Sequence, residues 1–89
     1  MYYHYYEYPD AHRVMAHFGI RQERYKLIYF YGKESFWELI DLKTDPDELK
    51  NVYDNPKNKA LIAMMKTELK ALTVQYKDKE AMAILAKAK

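Results

Sequence analysis

His12 and His17 stand five residues apart, with Arg13 between them and Asp10 just upstream. An imidazole titrates near neutral pH, so either histidine is suited to exchange a proton with a bound substrate. Arginine offers paired donors to sulfate or phosphate, which makes Arg13 a natural anion ligand. As metal ligands the two histidines are poorly spaced. Neither the helical i,i+4 interval nor the alternate interval of a strand is present, and only Asp10 is nearby as a third ligand. Arg21, Arg24 and Lys26 extend the basic cluster; Arg21 and Arg24 are expected to form ordinary ion pairs with Glu7, Asp10 or Glu23.

The other reactive residue types form no site. Glu38 and Asp41 are three apart on an expected strand and so face opposite sides. Ser35 is the only serine and lies outside any Gly-x-Ser-x-Gly context. Gly19 and Gly32, thirteen residues apart, make no phosphate loop. The chain has no cysteine, which excludes disulfides, thiolate chemistry and cysteine-bound zinc. Taken alone, it carries no self-sufficient catalytic site.

These residues must be held by a small framework. A chain of 89 residues, 49% hydrophobic and 31% charged, fits one soluble domain with a modest core. No apolar run approaches the roughly 18–20 residues that cross a bilayer. The net charge of +2 resides mostly in the tail, where Lys77, Lys79, Lys87 and Lys89 face only Asp78 and Glu80. A solvated helix is the simplest reading of that tail, and nucleic-acid binding a minor alternative.

Tyr2 to Tyr8 reads as a strand stopped by Pro9. Tyr2, His4, Tyr6 and Tyr8 share one face; Tyr3, Tyr5 and Glu7 share the other. Rings on both faces imply cover from both sides and an element missing upstream. Asp10 to Gly19 is expected to be an irregular link or a short helical turn. A strand follows over residues 20–31, clearest from Tyr25 to Tyr31, then a turn at Gly32–Ser35 and a third strand over 36–42. Thr44 to Leu49 is expected to wind into one short helical turn, with Leu49, Val52 and Tyr53 as an apolar anchor.

Asn55-Pro56 opens a helix over residues 56–76, whose stripe runs Leu61, Met65, Leu69, Leu72 and Tyr76, with Ile62 at its edge. A break at Lys77–Lys79 precedes a short helical or frayed tail over 79–89. The fold class is α+β: a small antiparallel sheet of three or four strands packed on one long C-terminal helix, over residues 1–78. One helix cannot cover both faces of that sheet.

The order of these runs resembles a known family. Tyr3-His4-Tyr5-Tyr6-Glu7-Tyr8-Pro9, then His12 and His17, then Gly19-Ile20-Arg21-Gln22-Glu23-Arg24-Tyr25-Lys26-Leu27-Ile28 is similar to the C-terminal subdomain of type I sulfatases. Trp37-Glu38-Leu39-Ile40-Asp41-Leu42 with Asp45-Pro46-Asp47-Glu48-Leu49-Lys50-Asn51 resembles its last strand and turn. The likeness is closest to bacterial polysaccharide and glycosaminoglycan sulfatases.

Such enzymes hydrolyse sulfate esters with a formylglycine made in a Cys/Ser-x-Pro-x-Arg motif and a calcium ion held by acidic residues. Both belong to the catalytic N-terminal domain. Ser35 here is followed by Phe36-Trp37, so the nucleophile motif is absent from this chain. The resemblance implies an accessory domain, inactive alone, that completes the fold and the rim of the pocket for a sulfated carbohydrate. His17, His12 and Arg13 are then the candidate substrate-binding residues. Its partner would be the catalytic domain, and the parent would be periplasmic or secreted. The competing expectation is a stand-alone interaction module that docks or self-associates through its aromatic edge strand.

Overall fold

In the computed structural model, residues 1–5, 16–32 and 34–88 are described. Four extended runs pair in chain order into one antiparallel sheet: β1 (Tyr2–Tyr5), β2 (His17–Arg21), β3 (Tyr25–Phe30) and β4 (Phe36–Asp41). A 3-10 turn at Pro56–Asn58 leads into α1 (Lys59–Gln75), and α2 (Lys79–Lys87) follows. The α+β class expected from the sequence is therefore the observed one, with four strands.

One boundary differs. The single strand expected over residues 20–31 is two strands, because the Gln22 N–H donates to the Tyr25 carbonyl at 2.8 Å and closes a tight turn over Glu23 and Arg24. That turn carries neither Gly nor Asn, the residues that normally announce it. Residues 17–19, read as part of an irregular link, belong to β2. The first strand is seen from Tyr2 to Tyr5; its expected continuation to Tyr8 lies outside the described residues.

Period-two alternation sends Phe18, Ile20, Leu27, Tyr29, Trp37 and Leu39 toward the helices. They meet Ile62, Met65 and Leu69 of α1 and Ala81 and Leu85 of α2. The buried stripe of α1 is thus Ile62, Met65, Leu69 and Thr73, rotated from the expected one; Leu61 and Leu72 flank it, and Tyr76 is 61% exposed. Buried Thr73 is accommodated because its hydroxyl donates to the Lys70 carbonyl at 2.7 Å. Lys66 clamps α1 to the sheet, its Nζ lying 4.5 Å from the Trp37 ring centre and donating to the Tyr53 hydroxyl at 2.7 Å.

The break after α1 has a defined geometry. Lys77 takes φ 55°, its N–H donates to the Val74 carbonyl at 3.1 Å, and the Asp78 N–H donates to the Thr73 carbonyl at 2.9 Å. This is a Schellman stop, with lysine in the left-handed position that glycine usually fills. Asp78 then caps α2 by accepting from the Ala81 N–H at 3.0 Å. The second helix is anchored, since Ala81 and Leu85 are both buried in the core.

Between β4 and the 3-10 turn the chain makes hydrogen-bonded turns without a helix. The Asp45 N–H donates to the Asp41 carbonyl at 2.8 Å, closing a single helical turn just before the expected one, and the Glu48 N–H donates to the Asp45 carbonyl at 3.0 Å. The Asp45 carboxylate accepts from the N–H groups of Leu49 and Lys50, at 3.1 and 2.8 Å, and Glu48 has φ 57°. Leu49, expected as an anchor, is 84% exposed; Val52 and Tyr53 do pack on the core. Asn51 closes the outer edge of β4 in the manner of a neighbouring strand. Its side chain accepts from the Leu39 N–H at 2.9 Å and donates to the Trp37 carbonyl at 3.1 Å, while the Val52 N–H donates to the Leu39 carbonyl.

Candidate functional site

The sheet face turned away from the helices carries His17. Pairing places Tyr5 opposite His17, His17 opposite Phe30, and Phe30 opposite Phe36, so one aromatic row crosses all four strands. Adjacent ring centres are 5.2, 4.9 and 4.8 Å apart, with the outer two contacts stacked and the middle one tilted by 40°. Tyr3 adds an edge contact to His17 at 5.7 Å. The imidazole is therefore held between two rings.

Farther along the same face, Gly19 has no side chain because there is no room for one: a Cβ there would collide with the Leu27 carbonyl oxygen. Beside it lies Tyr3 on β1. The Lys26 ammonium of β3 sits 5.7 Å from the Tyr3 ring centre and bridges to Glu48 at 2.8 Å. Burial pushes the Tyr3 hydroxyl well above its usual pKa, and the charges of Glu48 and Glu38 push the same way, so it stays a proton donor. That hydroxyl is buried and has no hydrogen-bond partner.

The opposite face contains a polar network that sequence reasoning missed. His4 Nδ1 and the Tyr2 hydroxyl both donate to Asp78 Oδ2, each at 2.6 Å. His4 Nε2 meets the Tyr31 hydroxyl at 2.6 Å, which lies 3.1 Å from Glu80 Oε1. Burial acts to raise the Asp78 pKa, but the bonds from Tyr2, His4 and the Ala81 N–H hold it below the usual carboxylate value. The order carboxylate–imidazole–hydroxyl is that of a proton relay. Its His4 and Asp78 side chains are only 5% and 10% exposed, and it ties β1 to the α1–α2 junction. We read it as a structural pin. The signal was out of reach because 74 residues separate His4 from Asp78.

Of the candidate site residues, His17 lies in β2 on the face turned away from the helices; His12 and Arg13 fall outside the described residues. Arg24 is taken up in an ion pair, as expected, though with Asp41: two parallel bonds of 3.1 and 3.0 Å. Among the described residues no three His, Asp or Glu side chains come together to hold a metal ion.

Comparison with known proteins decides the family. Residues 1–75 match the model of the N-sulphoglucosamine sulphohydrolase C-terminal family. The chain belongs to that family. An N-acetylglucosamine-6-O-sulfatase of Bacteroides thetaiotaomicron is 42% identical over 83 residues, covering 89% of this chain and 14% of that protein. Among solved structures, BT4656 in complex with its substrate D-glucosamine-2-N,6-O-disulfate superposes with a TM-score of 0.82 at 41% identity, over 88% of this chain and 16% of that one.

This sulphohydrolase C-terminal unit thus spans about one-seventh of the relative it matches. The family match takes in the whole sheet and ends with the last residue of α1, so α2 and the Asp78 pin lie beyond it.

Proposed function

We propose that this chain is the C-terminal domain of a carbohydrate sulfatase acting on sulfated glucosamine, completing the fold and bordering the substrate pocket. The observation that carries this is identity above 40% across nearly the whole chain to relatives whose names specify glucosamine sulfates. Formylglycine and calcium would be supplied by the catalytic domain. The residues present here do not fit either group: there is no cysteine, Ser35 lacks the Ser-x-Pro-x-Arg context, and the described carboxylates do not cluster.

In this reading His17, His12 and Arg13 contribute to the pocket rim. His17 lies on the sheet face turned away from the helices, and the segment bearing His12 and Arg13 precedes its strand in the sequence. Protonatable and guanidinium groups suit the anionic groups of such a sugar. The isolated chain, assayed on glucosamine 6-O-sulfate with calcium present, is expected to release no sulfate; release would overturn the accessory role. In the intact polypeptide, His17→Ala should lower kcat/KM on the sugar sulfate about tenfold more than on a small aryl sulfate. Equal losses on both substrates would assign His17 to structure alone.

A further inference from the structure

We propose that the cavity between the middle of α1 and the last turn of α2, bordered by Trp37, is an oxyanion site. It takes a sulfate group, either as the free ion or as the ester on a saccharide. The choice of sulfate rests on the reading above, whereas the site itself does not.

A buried donor without a partner leads to it. Trp37 is 8% exposed, and its Nε1–H is buried with no hydrogen-bond partner. An indole nitrogen only donates, so nothing but an acceptor answers it. A buried donor in this state is uncommon in a folded protein, and a bound ion is one of its regular causes.

The cavity beside that ring carries the charge an oxyanion needs. It measures about 250 Å³ and is lined by Trp37, Lys66, Thr67, Lys70, Leu85 and Ala88, with no carboxylate among them. The Lys66 ammonium lies 4.5 Å from the Trp37 ring centre and gives one of its three protons to the Tyr53 hydroxyl at 2.7 Å, which leaves two for a ligand. Lys70 stands one turn further along the same side of α1. Like charges at that spacing disfavour the helix, and an anion shared between them removes the penalty. The C-terminal end of α2 adds a partial negative charge, which Lys87 in its own last turn offsets.

Sulfate suits this set in charge and shape. Its tetrahedral oxygens accept from several directions at once, so one can face the indole N–H while others face the two ammonium groups. In the functional reading above, sulfated glucosamine is the molecule this polypeptide meets, so the anion is available both as the ester and as the released ion. A second cavity, of about 530 Å³, shares Trp37 and Ala88 with the first, which gives the body of a saccharide room beside the anion.

Trp37 is the single tryptophan of the chain, so its indole N–H gives one signal in a proton–nitrogen correlation spectrum. Sodium sulfate added to the full 89-residue chain should move that signal downfield to saturation, and sodium chloride at equal ionic strength should not. Lys70→Gln, at an exposed position, should leave circular dichroism unchanged and weaken sulfate binding about tenfold. Lys57→Gln, exposed but outside the cavity, should leave the titration as in wild type.

No saturable shift, or the same drift with chloride, overturns the site, as does full sulfate affinity in Lys70→Gln. Glucosamine 6-O-sulfate binding more tightly than inorganic sulfate assigns the site to a saccharide, and binding no tighter assigns it to the free ion. Glucosamine without sulfate should leave the signal in place; a saturable shift with it would overturn the oxyanion. Sulfate binding here, in an intact polypeptide that releases no sulfate from sugars, keeps the site and overturns the functional reading.

Discussion

The carboxylate of Asp78 takes three donors, one from the backbone of its own helix and two from β1. Its folded pKa lies below the unfolded value, so the folded state binds fewer protons there. The associated stability is present above the unfolded pKa of about 3.9 and is lost as pH falls through it toward the folded value. Urea unfolding between pH 7 and pH 3 should therefore show an acid limb that Asp78→Asn makes shallower. At neutral pH the same substitution should cost about 1–3 kcal/mol, since one oxygen no longer accepts both Tyr2 and His4 as an anion. A limb as steep as wild type would assign the acid sensitivity elsewhere, the surface pair Asp41–Arg24 being the next candidate. None of this was legible beforehand. Asp78 read as a tail residue and His4 as one more position in a tyrosine run, and only the fold brings them together.

At the scale of elements, local chemistry served well where the signal is local. Strict alternation along Tyr25–Phe30 and Phe36–Asp41 sends Leu27, Tyr29, Trp37 and Leu39 to the core, and Gly32, in the expected turn, takes a positive φ of 125°. The β2–β3 hairpin escaped because Glu23-Arg24 does not look like a turn. The pairing free energy of two strands forms it in spite of its sequence. The stop of α1 shows the same tension, with Lys77 carrying a side chain in a conformation that costs an L-residue about 1–2 kcal/mol. Lys77→Gly should therefore raise the unfolding free energy by about 0.5–1 kcal/mol, measured by urea denaturation. A loss of stability would mean that the lysine side chain makes compensating contacts in the folded state.

For the whole molecule, the second helix is a structural member. It contributes Ala81 and Leu85 to the core and, through Asp78, holds the edge strand. A chain ending at residue 78 should lose roughly 3 kcal/mol or more on the burial of those side chains alone, a large part of the stability of so small a domain. Its urea midpoint should fall accordingly, and an unchanged midpoint would show the helix to be dispensable. The sequence by itself determined the fold class, the side-chain faces of the strands and the family. Alternation follows from covalent geometry, and family likeness rides on contiguous runs. The tertiary structure alone decided that His17 belongs to a strand, that four rings from four strands form one row, and that the tyrosine-rich start is pinned by a carboxylate near the other end. Those outcomes depend on register and packing, in which residues far apart in the chain compete for the same partners.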